Sequence, residues 1–170
     1  MADSGFSENG IRMCLKNVGK GSDFRYESAM VPMDRDHVRR MLSDTRDSFT
    51  DTSSEVFRFR SCIESGRGTN RRRQHSILRR HIVKIDSIMA MESDILDQAL
   101  RILDAGDTET IHLQILASAL MTISRINGEL VDMMHGWIPE GVSIGQNSGE
   151  LSGYVSELST QGESVRGILA

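Results

Sequence analysis

The sequence predicts an all-α fold whose spine is a long antiparallel helical hairpin, coiled-coil-like, joined by smaller N-terminal helices and assembling as an oligomeric helical bundle. Three observations carry that reading. The 170 residues include only two prolines. Apolar residues almost never alternate with the period of two that marks a half-buried strand. Two long stretches instead space their apolar residues three and four apart, the pattern that turns one face of a helix toward a partner. On this basis the chain divides into short helices and loops (residues 1–65), a linker (66–70), the hairpin core (71–137) and a Gly/Ser-rich acidic tail (138–170).

In chain order, Ser7 to Val18 suits a short helix with Ile11, Leu15 and Val18 among its apolar residues, ended by Gly19-Lys-Gly-Ser22. That segment lacks the spacing of a phosphate-binding GxxxxGK[ST] loop. Phe24 to Met33 reads as extended, because Pro32 cannot sit inside a helix. Asp34 is a good N-cap for a helix reaching about Phe49. Asp51, Thr52 or Ser53 can start another, with Val56, Phe59 and Ile63 on one face. Ser65-Gly-Arg-Gly-Thr-Asn70 has the composition of a linker.

The first arm of the hairpin places Leu78, Ile82, Ile85, Met89, Glu92, Leu96, Ala99 and Leu103 on one seam. Ile88, Ile95 and Ile102 flank it, so the apolar stripe is wider than a two-stranded coiled coil needs, and more than one neighbour is expected. Glu92 interrupts the seam, either as a buried acid with a raised pKa or as a polar contact that fixes register. Gly106 suits a left-handed position after the helix, and Asp107 or Thr108 can cap the next one.

The second arm repeats the spacing with Leu113, Leu116, Leu120, Ile123, Asn127, Leu130, Met134 and Trp137. Between Thr110 and Val131 its only formal charges are Arg125 and Glu129. Such a helix has to be covered nearly all round, by the N-terminal third or by a second copy of the chain. The expected interface between copies consists of Leu113, Leu116, Leu120, Ile123, Asn127, Leu130 and Met134 with Ile88, Ile95 and Ile102. Asn127 either sets register or, with Gly128, breaks the arm in two. Pro139 is expected to stop it. Beyond lies the tail, in which Leu151, Tyr154, Val155 and Leu158 form one amphipathic set, followed by Val165, Ile168 and Leu169. A weakly ordered tail is the expectation, with a docking helix as the alternative.

Charge is unevenly placed. Gly66 to Lys84 carries seven basic residues and no acid, whereas from Ile85 onward three basic residues face thirteen acids. Arg67, Arg71, Arg72, Arg73, Arg79, Arg80 and Lys84 therefore form a cationic stripe, with Arg72 and Arg79, and Arg73 and Arg80, seven apart on the outward side of the first arm. Arginine suits bidentate contact with phosphate, and each contact releases counterions. No aromatic residue interleaves the stripe, which favours backbone recognition of a shaped duplex, RNA foremost, over stacking on single-stranded bases. The alternative partner is an acidic protein surface, which would make the chain a coiled-coil adaptor or assembly subunit. Arg73-Gln-His-Ser76 also has the spacing of an arginine-directed kinase site, where a phosphate would weaken polyanion binding.

No catalytic arrangement is legible. Ser, His and Asp occur without a nucleophile motif, and His75 and His81, six apart, do not share a helical face. Cys14 and Cys62 are isolated and suggest neither a disulfide framework nor a zinc site. No cofactor, metal or membrane contact is expected, and the reading is of a non-enzymatic intracellular protein, cytoplasmic or nuclear, that binds itself and a polyanion.

Overall fold

Asp34 opens the first helix. Its Oδ1 accepts a hydrogen bond from the His37 amide at 2.6 Å, satisfying one of the donors that a helix start leaves without a partner. The computed structural model describes residues 33–64, 72–106, 108–140 and 147–170, with the side chains of 72–75 and 138–140 excepted. The helix expected over Ser7–Val18, the turn at Gly19–Ser22, the extended segment before Met33, the linker and Asp107 lie outside the described residues. Four helices account for nearly all that is described: α1 (Arg35–Glu64), α2 (Arg72–Asp104), α3 (Thr110–Glu140) and α4 (Asn147–Leu169). No strand occurs among the described residues.

Helix α1 is one element of 30 residues, where a second start near Asp51 was expected. Its buried stripe, Val38, Leu42, Thr45, Thr52, Val56, Phe59 and Ile63, runs unbroken through that point. The polar residues there favour caps and turns only when their side chains compete for the backbone. Here Thr50 and Ser54 donate to the Arg46 and Thr50 carbonyls, four residues back, and so stay within the helix.

Helix α2 ends where Gly106 takes a φ of 101°, as the sequence predicts for a glycine after a helix. A Cβ at Gly106 would meet nothing within 4 Å, so the strain of Gly106→Ala lies in the backbone alone. That substitution is expected to cost about 1 kcal/mol in urea unfolding. Thr108 does not cap the next helix. Its hydroxyl donates back to the Ile102 carbonyl at 3.4 Å.

Helix α3 passes through Asn127-Gly128 without a break. Ile126, Asn127 and Leu130 are all buried, and the burial of that face outweighs the roughly 1 kcal/mol that glycine costs a helix. It ends at Glu140, one residue past Pro139. A proline in the last turn deletes one backbone bond at an end where the helix is stopping anyway.

The largest departure is α4. The supposed tail contains a 23-residue helix whose Leu151, Tyr154, Leu158, Gly162 and Val165 are buried at spacings of three and four. Serine and threonine again turn their hydroxyls back to the helix, Ser152 to the Ser148 carbonyl and Thr160 to that of Ser156. The low charge and the glycines made the segment look loose. Its apolar spacing is what decides its fate.

Cross-helix contacts fix the arrangement. Arg39 meets Asp104 at 2.9 Å, Arg46 meets Asp97 at 3.2 Å and Arg60 pairs with Asp86, so α1 and α2 run antiparallel. Thr45 bonds Ser124 and Glu55 meets His135, so α1 and α3 run parallel. Lys84 reaches Ser148 and Ser152, and Asp94 meets Arg166, so α2 and α4 are also parallel. Arg125 with Glu157, and Trp137 with Asn147, set α3 and α4 antiparallel. The result is a four-helix bundle with the cyclic order α1, α3, α4, α2. The two arms of the expected hairpin are antiparallel but sit at opposite corners and touch sparsely; α3 packs chiefly on α1, and α2 on α4. Stripes as wide as theirs need a neighbour on each flank, and the diagonal placement supplies two.

The core is Ile85, Ile88 and Ile95 from α2, Leu116, Leu120, Ile123, Ile126 and Leu130 from α3, and Leu151 and Leu158 from α4, all at most 1% exposed, with Val38, Leu42, Val56 and Phe59 from α1. At one end Trp137 stacks on His81 with ring centroids 5.1 Å apart, touches Phe59 at 5.4 Å, and donates through Nε1 to the Asn147 Oδ1 at 3.0 Å. That end is thereby closed by contributions from all four helices.

Candidate nucleic-acid interface

The cationic segment lies at the start of α2, at the end of the bundle that Trp137 closes. Buried Ile85 and Ile88 fix the inward face of the helix, and this leaves Ser76, Arg79, Arg80 and Val83 exposed on the outward one. Neither Arg79 nor Arg80 makes a hydrogen bond or ion pair among the described residues. The first carboxylate along that face is Asp86, and Arg60 occupies it. Arg72 and Arg73 belong to the same helix, at its first two positions. Arg67 and Arg71 lie outside the described residues.

Lys84 does not belong to the outward stripe. Its Nζ donates to the Ser148 carbonyl at 3.2 Å, the Ser148 Oγ at 3.1 Å and the Ser152 Oγ at 2.8 Å, tying α2 to the first turn of α4. In a two-helix seam this position faces water. With α4 on that flank it faces a neighbour, so the misplacement follows from reading residues 138–170 as a tail.

The residues expected at an interface between copies are all buried inside one chain. Leu113, Leu116, Leu120, Ile123, Asn127, Leu130 and Met134, like Ile88, Ile95 and Ile102, are at most 5% exposed. Because one neighbour could not cover so apolar a helix, either the N-terminal third or a second copy was expected to do so. Helices α1 and α4 provide the missing cover, and the reason for a second copy on this face falls away.

Most other arginines are taken up by the fold. Arg35 and Arg39 both donate to the Leu103 carbonyl, placing positive charge where the dipole of α2 ends negative. Arg46, Arg58, Arg60, Arg125 and Arg166 each meet a carboxylate. Such pairs are exposed and contribute roughly 0–1 kcal/mol each. They take up most of the surface arginines, Arg40 and Arg101 being the exceptions outside α2's first turns, and the start of α2 carries two adjacent arginines with no acid before Asp86. Asp94, bonded by Gln98 and Arg166, is held below the ordinary carboxylate range.

The surface of opposite sign was not legible in the sequence. Glu129, Asp132, Glu150 and Glu157 line a groove between α3 and α4 with Met133, Gly153 and Tyr154. The Arg125 guanidinium bridges Glu129 and Glu157 and lies 6.0 Å from the centre of the Tyr154 ring. Burial, with Glu129 beside it, raises the pKa of the Tyr154 hydroxyl. No group of three His, Cys, Asp or Glu residues able to hold a metal occurs among the described residues, and no helix there is long and apolar enough to cross a membrane.

Glu92 and Asn127 meet in the middle of the bundle, one from each diagonal helix, 0% and 1% exposed. Burial pushes the Glu92 carboxyl up to about 8, and the Asn127 side chain pulls it back part of the way. The four polar atoms of the pair make no hydrogen bond of normal geometry. Both alternatives raised by the sequence, an acid with a raised pKa and a polar contact between helices, therefore describe the same place.

No family model, curated protein or solved structure matches the chain.

Proposed function

We propose that this protein is a non-enzymatic helical bundle that binds a polyanion, duplex RNA foremost, on the outward face of the start of α2. The observation that supports this reading is the unengaged state of the adjacent Arg79 and Arg80 in a stretch without acids, where seven of the nine other described arginines are bonded to carboxylates or carbonyls and the remaining two, Arg40 and Arg101, stand singly. Guanidinium groups three and four residues beyond Ser76 on the exposed face, in a helix whose first two residues are Arg72 and Arg73, give a spacing with which a helix can follow a phosphate backbone. The positive end of the helix dipole adds to the field there.

The test is a salt series of duplex-RNA affinities for the natural chain and for Arg79→Ala/Arg80→Ala. If both arginines meet phosphates, the slope of log K against log salt becomes shallower by roughly 1–2 in the variant. An unchanged slope rejects the surface. If the natural chain binds no duplex at low salt, while the same substitutions abolish binding to an acidic protein, the surface serves protein recognition instead.

A further inference from the structure

We infer that Ser76 is a phosphorylation site whose phosphate switches off the polyanion surface, an inference that rests on the function proposed above. Ser76 is exposed, and its hydroxyl has no partner among the described residues. It is the fifth residue of α2, so an enzyme needs to loosen little more than the first turn to reach it in extended form. Arg73 precedes it by three residues and Arg72 by four, the arrangement that arginine-directed serine kinases recognise. Arg79 and Arg80 follow it by three and four, on the neighbouring turn of the same face.

Three other serines share the arginine at the third position before them: Ser28, after Arg25, which lies outside the described residues, and Ser43 and Ser61, which the structure separates from Ser76. Ser43 follows Arg40 but is the ninth residue of the 30-residue α1, a turn deeper in its helix than Ser76. Ser61 follows Arg58, and its hydroxyl is already bonded to the Phe57 carbonyl at 3.0 Å. Neither has unpaired arginines three and four residues after it. They serve as internal controls.

In the reaction the γ-phosphoryl group of ATP passes to the Ser76 Oγ. A phosphorus–oxygen bond to serine forms as the bond to the ADP oxygen breaks, and the hydroxyl proton goes to the base of the kinase. The product carries about two negative charges and three strong acceptor oxygens in the middle of the cationic strip. Arg79 and Arg80 can then close onto a phosphate of their own chain, in charge-assisted bonds that compete directly with an external one.

The full chain, incubated with ATP and a calmodulin-dependent serine kinase, is expected to gain one phosphate, located by mass spectrometry at Ser76 and absent from Ser76→Ala. Its affinity for duplex RNA should fall about tenfold or more, with a shallower salt slope, while treated Ser76→Ala keeps full affinity. Phosphate appearing at Ser28, Ser43 or Ser61 instead, or nowhere, overturns the inference. So does undiminished RNA affinity in the phosphorylated chain when Arg79→Ala/Arg80→Ala has lost it; in that event the proposed function stands alone. Failure of the unmodified chain to bind duplex RNA overturns both.

Discussion

Stability against urea is expected to fall as pH rises from about 4.5 to about 8, and Glu92→Gln to abolish that dependence. The folded bundle holds the Glu92 carboxyl protonated up to about 8, whereas an unfolded chain releases that proton near the ordinary value of 4.5. Between the two values the native state binds the extra proton, so the linkage slope is negative. The contribution is fully present below about 4.5 and is lost as pH climbs through the folded value. At about 1.4 kcal/mol per pH unit, the loss across the window reaches roughly 3–5 kcal/mol. Asp94 acts with the opposite sign, since its lowered pKa stabilises the fold above its ordinary value of 3.8 and is lost only in stronger acid. It does not obscure the window. Denaturation midpoints measured from pH 5 to 8.5 decide the matter. A natural chain as stable at pH 8 as at pH 5 would mean that the Glu92 carboxylate finds compensation which burial at 0% exposure denies it. Glu92→Gln should match the natural chain to within about 1 kcal/mol at pH 5 and exceed it by several at pH 8.

The second large effect concerns α4. Leu158 is fully buried, and Leu158→Ala is expected to cost about 3–5 kcal/mol, as for a core leucine and unlike a residue in a loose tail. Removing residues 147–170 uncovers Lys84 and the α4-facing flanks of α2 and α3 together. The truncated chain should keep much of its helical circular dichroism, lose cooperative unfolding, and bind an apolar dye such as ANS. A truncated chain that still melts sharply near the natural temperature would show that α4 is an accessory to the bundle.

These two regions also mark where the sequence was and was not readable. The first and second long helices announce themselves because Leu78 to Leu103 and Leu113 to Trp137 hold a regular apolar spacing over many turns. Glu92 and Asn127 stand out for the same reason, as polar residues on apolar seams. Helix α4 was the less favoured of two readings because composition was weighed above spacing. Its glycines, serines and acids resemble a disordered tail, yet Leu151, Tyr154, Leu158 and Val165 keep the helical period. That weighting left the N-terminal third or a second copy as the only covers considered for α3, and it left Lys84 facing water. Which helices become neighbours was not legible at all, because a stripe records how much of a helix is buried and not what buries it. The arginines of α1 illustrate this. Nothing near Arg39 in the sequence indicates that it will meet Asp104, sixty-five residues away.

The parallel pairing of α1 with α3, and of α2 with α4, sets the order in which this chain can fold. Thr45 and Ser124 are 79 residues apart, and Arg166 lies 72 from Asp94. Separations of this length slow the search for the native state, since loop closure precedes the stabilising contact. During translation the α1/α2 pair can form early, but its inner faces remain open until α3 and α4 have left the ribosome. Helix α4 is the element that seals the bundle, so a chain cut short before residue 147 is a sticky product and not a smaller working one.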